Sequence, residues 1–261
     1  MTSVNYQKIE SKQNNQIKLL KKLQIKKYRR NLGLFAVENL TIISDALKDG
    51  YDFEALFVTV EFVNKNKEKL EKIENKTKAK NFYLVNSKLN KEYSNLDTPS
   101  GIMAVYKIRA KKLDVASVVY LNGIKDPGNL GTIMRSALAF NFSNLVLDSN
   151  CVDIYNFKVI NAAKDAIFKL NIVEDEEGEW LKGNRLPIYS TSSHTGVNLE
   201  KFKAAKIFCL VLGGETDGVD SALVKLSDKS LKIEISSRIE SLNVATAAAI
   251  LFYELKSKKN N

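Results

Sequence analysis

From Asn14 to Arg30 the apolar positions Ile17, Leu19, Leu20, Leu23 and Ile25 recur mostly at helical spacing among lysines, which predicts one amphipathic helix with a cationic outer face, ended by Gly33. LFAVE (34–38) then reads as a strand, TIISDALKDG (41–50) as a helix closed by Gly50, and EALFVTV (54–60) as a second strand. A lysine-rich helix near 64–73, the strand NFYLV (81–85), a short helix near 88–93 and the strand GIMAVYK (101–107) complete a small α/β unit. The stretch IRAKKLDVA (108–116) has the polar, charged composition of a linker. Beyond it, VVYLNG, NLVLD, KLNIV, PIYST, KIFCLVLGG and SLKIEIS are short runs rich in β-branched or aromatic residues, with helical patterns between them. Such alternation implies a parallel sheet with helices on both faces. The expectation is an α/β protein of two domains, 1–107 and 117–261. No internal repeat is evident, and low complexity is confined to the terminal KSKKNN, which reads as frayed.

Across 261 residues a hydrophobic content of 44% supplies ordinary cores for two such domains. No run approaches the roughly 20 apolar residues of a membrane span. The opening MTSVNYQKIESK has no apolar segment ahead of a small-residue cleavage site, so a soluble, cytosolic protein without membrane association is expected. Cys151 and Cys209 lie far apart without a histidine cluster; they read as core thiols, and no metal site is expected. The sole histidine, His194, falls in the loop-like STSSHTG and reads as an exposed side chain rather than a catalytic one. No Gly-x-Gly-x-x-Gly or phosphate-loop pattern occurs.

Charge sharpens the division between the domains. Of the net +10, residues 1–110 carry +9, with 21 Lys and Arg against 12 Asp and Glu. Lys8, Lys12, Lys18, Lys21, Lys22, Lys26, Lys27, Arg29 and Arg30 face only Glu10 within the first thirty residues. Such a patch attracts polyanions, of which nucleic acid is the commonest in a cytosol; a solvated helix face is the plain alternative. The candidate RNA contacts are Lys18, Lys22, Lys26, Lys27, Arg29 and Arg30.

Three stretches of the second half carry candidate chemistry. In NGIKDPGNLGTIMRSALAF (122–140) a strand ends in the turn Asp126-Pro127-Gly128-Asn129, leading into a helix with Arg135 in its first two turns. A guanidinium there can grip a phosphate or carboxylate in a two-pronged way; a plain helix cap is the bland alternative for Asn129. In LVLGGETDG (210–218) a strand runs into Gly213, Gly214, Glu215 and Gly218, glycines that let a ligand approach the backbone. In IEISSRIESLNVATAAAI (233–250) the strand LKIEI (231–235) leads to a helix opening at Ser241-Leu242-Asn243, with Ser241 as a cap and an alanine-rich face suited to close packing on the sheet or on a partner subunit.

In this order and spacing the three stretches resemble the three motifs of the SpoU (TrmH-like) RNA ribose methyltransferases of the SPOUT class. The resemblance implies a C-terminal knotted (trefoil) parallel-sheet domain, S-adenosylmethionine as cofactor, methylation of a ribose 2′-hydroxyl in a structured RNA, and a homodimer. Ribosomal RNA is the expected substrate; transfer RNA, or a catalytically inactive RNA-binding or ribosome-assembly factor of the same fold, are the alternatives. It further implies that Asn129, Arg135, Glu215, Ser241 and Asn243 form the reaction centre, with Arg135 also touching RNA. Thr191, Leu212, Gly213, Gly214, Gly218, Ile233, Leu242 and Asn243 would border the cofactor. The stretch from IKLLKKLQIKKYRRNLGLFAVEN through TPSGIMAV is similar to the substrate-binding domain that many members carry first. The chain departs from the family pattern at Asn39 and Asn141, where glycine is usual, and at Ile233-Glu234-Ile235, where Ile-Pro-Met is usual.

Overall fold

The computed structural model describes residues 4–257, so most of the terminal KSKKNN, expected to fray, lies outside the described residues. Contacts divide the chain into two units: the residues through Arg109 together with Tyr155–Asn161, and Ala110–Ile154 together with the chain from Ala162 onward.

The first unit contains β1 (Gln7–Ile9), α1 (Asn15–Leu23), α2 (Lys26–Leu32), β2 (Leu34–Val37), α3 (Leu40–Lys48), β3 (Ala55–Thr59), α4 (Val60–Lys65), α5 (Lys67–Lys76), β4 (Asn81–Val85), α6 (Ser87–Tyr93) and β5 (Ile102–Lys107). Its sheet has the order β1-β4-β3-β5-β2, with β1, β4 and β3 parallel and β5 antiparallel to both of its neighbours. Ile17, Leu20 and Leu23 bury one face of α1 against Phe57, Tyr83, Met103 and Val105 of the sheet. The helix expected over 14–30 is two helices. Its chain turns at Gln24 and Ile25, and Arg29 reaches back to donate from Nη1 to the Leu23 carbonyl at 2.8 Å, satisfying one of the carbonyls a helix end leaves open. Gly33 closes α2 in the left-handed conformation, φ 62°.

Strand β1 was not legible in the sequence, because three residues are too few to show a period. It is held by Tyr6, which meets Phe82 edge to face and donates to Glu74. Glu38 is buried at the end of β2 and accepts from Ser94 Oγ (2.7 Å), Asn95 N and Ser100 N (both 3.2 Å), which clamps the loop after α6. Burial raises its pKa, and those hydrogen bonds oppose the shift. The neighbouring Asn39 caps α3, its Oδ1 accepting from Thr41 N and Ile42 N, a task glycine could not perform.

The second unit contains β6 (Val118–Asn122), α7 (Pro127–Ala139), β7 (Asn144–Asp148), α8 (Phe157–Ala163, whose first residues belong to the first unit), α9 (Ala166–Lys169), β8 (Asn171–Asp175), α10 (Glu179–Gly183), β9 (Ile188–Thr191), β10 (Val197–Asn198), β11 (Cys209–Gly213), α11 (Ser221–Leu226), β12 (Lys229–Lys232) and α12 (Val244–Ser257). The sheet is wholly parallel, in the order β10-β12-β9-β11-β6-β7-β8. The last strand, β12, thus lies between two strands that precede it in the chain. It stops at Lys232, so residues 233–235, expected within the strand, leave the sheet. Part of the expected linker is anchored to this unit: Lys111 donates to the carbonyls of Phe168 and Leu170, and Asp114 exchanges backbone bonds of 3.0 and 2.9 Å with the Asn144 amide. Asn141, after α7, has φ 63°; asparagine tolerates this left-handed turn, so it serves where glycine is usual.

Candidate active site

The carboxyl ends of β9, β11 and β12 open into a cavity of about 490 Å³, lined by residues 191–195, 213–219, 224, 230–231, 233, 235, 240–242, 244, 247 and 251. Ligands of parallel sheets bind at this end of the strands. Glycine makes the close approach of its walls possible. A Cβ on Gly213 would lie 2.0 Å from the Gly218 carbonyl carbon, and one on Gly214 would lie 2.6 Å from the Gly123 oxygen. Gly196, at φ 123°, passes over β12 where a Cβ would meet the Ser230 oxygen at 2.4 Å. Thr191 closes β9 and donates from Oγ1 to the Val211 carbonyl at 3.0 Å.

A polar network joins the three motifs beside this cavity. Asp126, not Asn129, caps α7: its Oδ1 accepts from Asn129 N at 2.8 Å, which leaves the Asn129 side chain free for other work. The helix therefore starts at Pro127, and Arg135 lies in its third turn rather than its first two. Likewise Asn243, not Ser241, caps α12, with Oδ1 accepting from Ala245 N (2.9 Å) and Thr246 N (3.3 Å). The other end of the same amide donates from Nδ2 to Asn129 Oδ1 at 3.0 Å and to the Glu215 carboxylate. One asparagine thus starts a helix and ties together side chains 114 and 28 residues away.

The cavity wall includes Thr191, Gly213, Gly214, Glu215, Gly218, Ile233, Ser241 and Leu242 of the expected set. It does not include Leu212, whose side chain is buried in the sheet, nor Asn129, Asn243 or Arg135. Asn129 and Asn243 join the site through Glu215. Arg135 is exposed, roughly 120° round α7 from Asn129, and has no ion pair among the described residues. In the first unit Lys18, Lys22, Lys26, Lys27 and Arg30 are exposed as an RNA-facing role requires. Arg29 is the correction. It is only 6% exposed, with its guanidinium turned inward onto the Leu23 carbonyl, so it closes a helix end instead of meeting a ligand.

Several residues at this end of the sheet escaped the sequence reading. His194 is exposed as expected, yet its loop, 192–195, forms one wall of the cavity; the position of Thr191 just before it was the available signal. Gly196 and Asn122 carried no local signal, since each acts through a segment distant in sequence. Both cysteines are buried and unbridged, and burial pushes the Cys209 thiol up to about 12, away from any nucleophilic role. Among the described residues there is no cluster of three His, Cys, Asp or Glu suited to a metal ion, and no helix long and apolar enough to cross a membrane.

Two family profiles match successive parts of the chain. The profile of the SpoU rRNA Methylase family matches residues 116–253, and that of the MRM3-like substrate binding domain matches residues 14–104. The chain is 30% identical to the Bacillus subtilis 23S rRNA (guanosine(2553)-2′-O)-methyltransferase RlmP, over 95% of this chain and 98% of that one. Among solved structures it resembles a putative RNA methyltransferase of the TrmH family from Porphyromonas gingivalis, with a TM-score of 0.80 at 27% identity, covering 96% of this chain and 99% of that one. The fold also matches AviRb, a SpoU methyltransferase from Streptomyces viridochromogenes solved with the cofactor AdoMet, with a TM-score of 0.81 at 22% identity, covering 95% of this chain and 99% of that one.

Proposed function

The chain belongs to the SpoU rRNA methylase family, and on that premise we propose that it transfers a methyl group from S-adenosylmethionine to a ribose 2′-hydroxyl of large-subunit ribosomal RNA. The observation that carries this reading is the meeting of Asn129, Glu215 and Asn243, one from each motif, in a single hydrogen-bond network beside the cavity. The cavity suits the cofactor. Its volume, about 490 Å³, is in the range of small-molecule sites, and it joins an apolar wall of Leu231, Ile233, Leu242 and Val244 to hydroxyls and carboxylates. The apolar wall suits the adenine ring, while Ser192, Ser241, Glu215 and Glu240 suit a ribose and an ammonium group.

S-adenosylmethionine, when bound, supplies a methyl group already activated on a sulfonium. The protein's task is alignment and management of the hydroxyl proton. Backbone groups of Gly213, Ile233 and Leu242 would hold the cofactor, with Thr191, Gly214 and Gly218 bordering it. Ser241 and Asn243 orient the ribose. Arg135 steadies the negative charge that develops as the 2′-oxygen gives up its proton to solvent water. Glu215 holds Asn243, and through it Asn129, in place.

The exposed Lys18, Lys22, Lys26, Lys27 and Arg30 take up RNA phosphates. Ribosomal RNA is favoured over transfer RNA by the name of the B. subtilis relative and by the match to a substrate-binding domain. The active form is a homodimer: α7 and α12 pack together, and Tyr253, 60% exposed on α12 and in edge contact with Phe140, offers an apolar surface to a second copy. A monomer by light scattering at micromolar concentration contradicts that assembly. A cytosolic location is supported by the two unbridged thiols. Mapping ribose methylation in total RNA from cells with and without the gene tests the function. The proposal expects one 2′-O-methyl group to vanish from ribosomal RNA; an unchanged ribosomal map, or a loss confined to transfer RNA, overturns it.

A further inference from the structure

Asn122 ends β6 directly opposite Gly213 of β11 and is only 3% exposed. Its amide bonds two carboxylates and the backbone N–H of one of them. Nδ2 donates at 2.8 Å to Asp148 Oδ2, at the end of β7, and at 2.8 Å to Asp220 Oδ2, which opens α11; Oδ1 accepts from Asp220 N at 2.8 Å. The next residue continues the pattern: Gly123 N donates to Asp148 Oδ1 at 3.0 Å, and its carbonyl lies where Gly214 can approach only because it lacks a Cβ.

These contacts pin both ends of one loop. Gly214 at its start rests on Gly123, Asp220 at its end is bonded twice to Asn122, and between them stand Glu215 and the cavity wall 214–219. Gly214 and Gly218 also bridge across the loop's neck, with Gly218 N donating to Gly214 O at 3.1 Å. We propose that Asn122 is a positioning residue for methyl transfer: by donating to Asp148 and Asp220 at once it fixes the loop that bears Glu215 and closes the cofactor cavity. Only an amide serves here. It gives two hydrogens to the carboxylates and an acceptor to the Asp220 N–H, whereas aspartate would place a third carboxylate among two others with no donor between them. Asn122 touches neither reacting group; it acts through Glu215, and so through Asn243 and Asn129.

The inference rests on the methyltransferase reading for its consequence and on the loop alone for its geometry, so the experiment reads both. In the full-length protein, Asn122→Asp is expected to speed hydrogen exchange of the 214–220 amides about tenfold or more and to weaken S-adenosylmethionine about tenfold in calorimetry, while RNA affinity stays within about twofold. Adding Asp220→Asn to that variant restores the original count of two carboxylates and one amide. It is expected to recover most of the exchange protection and cofactor affinity, a compensation that general destabilisation does not produce. Should Asn122→Asp fail to fold, Asn122→Ser, which keeps one donor, is expected to give an intermediate loss in both readouts. Exchange and cofactor affinity within twofold of wild type in a folded variant, or no recovery in the double variant, overturns the role of Asn122. If the exchange responses appear as stated but the wild-type protein binds no S-adenosylmethionine, the loop assignment stands and the methyltransferase reading falls.

Discussion

In the first unit Lys18, Lys22, Lys26, Lys27 and Arg30, the proposed RNA contacts, are all exposed on or beside two short helices, whereas in the second unit Asn129, Glu215 and Asn243 depend on one another through bonds spanning 28 and 114 residues. Phosphate attraction is additive and long-ranged, so each cation contributes a small share and none needs an exact position. A reaction centre is short-ranged and cooperative, so each member needs the others in place. Damage should therefore be steep in the second unit and shallow in the first.

The steepest expected effect is that of Arg135→Ala. Losing the cation proposed to steady the developing oxyanion should lower the methyl-transfer rate by about 10²- to 10³-fold, with cofactor affinity within a few-fold because the cavity is not lined by this side chain. Single-turnover rates and calorimetry separate the two quantities, and a loss of cofactor affinity equal to the loss of rate would contradict the assignment. Gly213→Ala should come next. Its new Cβ has only 2.0 Å to the Gly218 carbonyl carbon, so the loop must move, at about 1–3 kcal/mol, and cofactor binding should weaken accordingly. An unchanged dissociation constant would show that the close approach is not needed.

Arg29 belongs to the basic cluster by sequence and to the core by structure. Arg29→Ala should destabilise the protein by about 1–3 kcal/mol through the orphaned Leu23 carbonyl, while the salt dependence of RNA binding stays as it was. Denaturant unfolding and salt titration read these separately. The smallest effects belong to single changes at Lys18, Lys22, Lys26 or Lys27. Each to glutamine should leave stability unaltered and flatten the slope of log affinity against log salt by about 0.7–0.9. A variant that abolishes binding at one stroke would show that this unit, too, recognises by geometry.

The same contrast governs what the sequence made legible. Apolar periodicity marked most strands and helices, and charge bias marked the basic unit, because both are properties of local composition. Local pattern misled where a side chain acted across the turn of the chain: Arg29 looks like its cationic neighbours, and only the folded turn between α1 and α2 sends it inward. For a related reason the cap of α12 was read two residues early, at Ser241, and the alternative reading of Asn129 as a plain cap gave way to Asp126. Several residues at each site can cap a helix, and tertiary partners decide which does. The three motif stretches identified the candidate site residues because their order and spacing resemble a family. Asn122, Gly196 and the cavity-facing loop of His194 lay beyond that reading, since their meaning depends on segments far along the chain.

The proposed mechanism puts the methyl group on the ribose 2′-oxygen. An RNA substrate carrying a single 2′-deoxy substitution at the modified nucleotide tests it most directly, with binding and methyl transfer measured on the same material. Binding close to that of the unmodified RNA and no methyl transfer are expected, because the nucleophile has been removed while the phosphates available to the basic unit remain. Transfer to the deoxy RNA at a comparable rate would place the methyl group on the base and contradict the assignment.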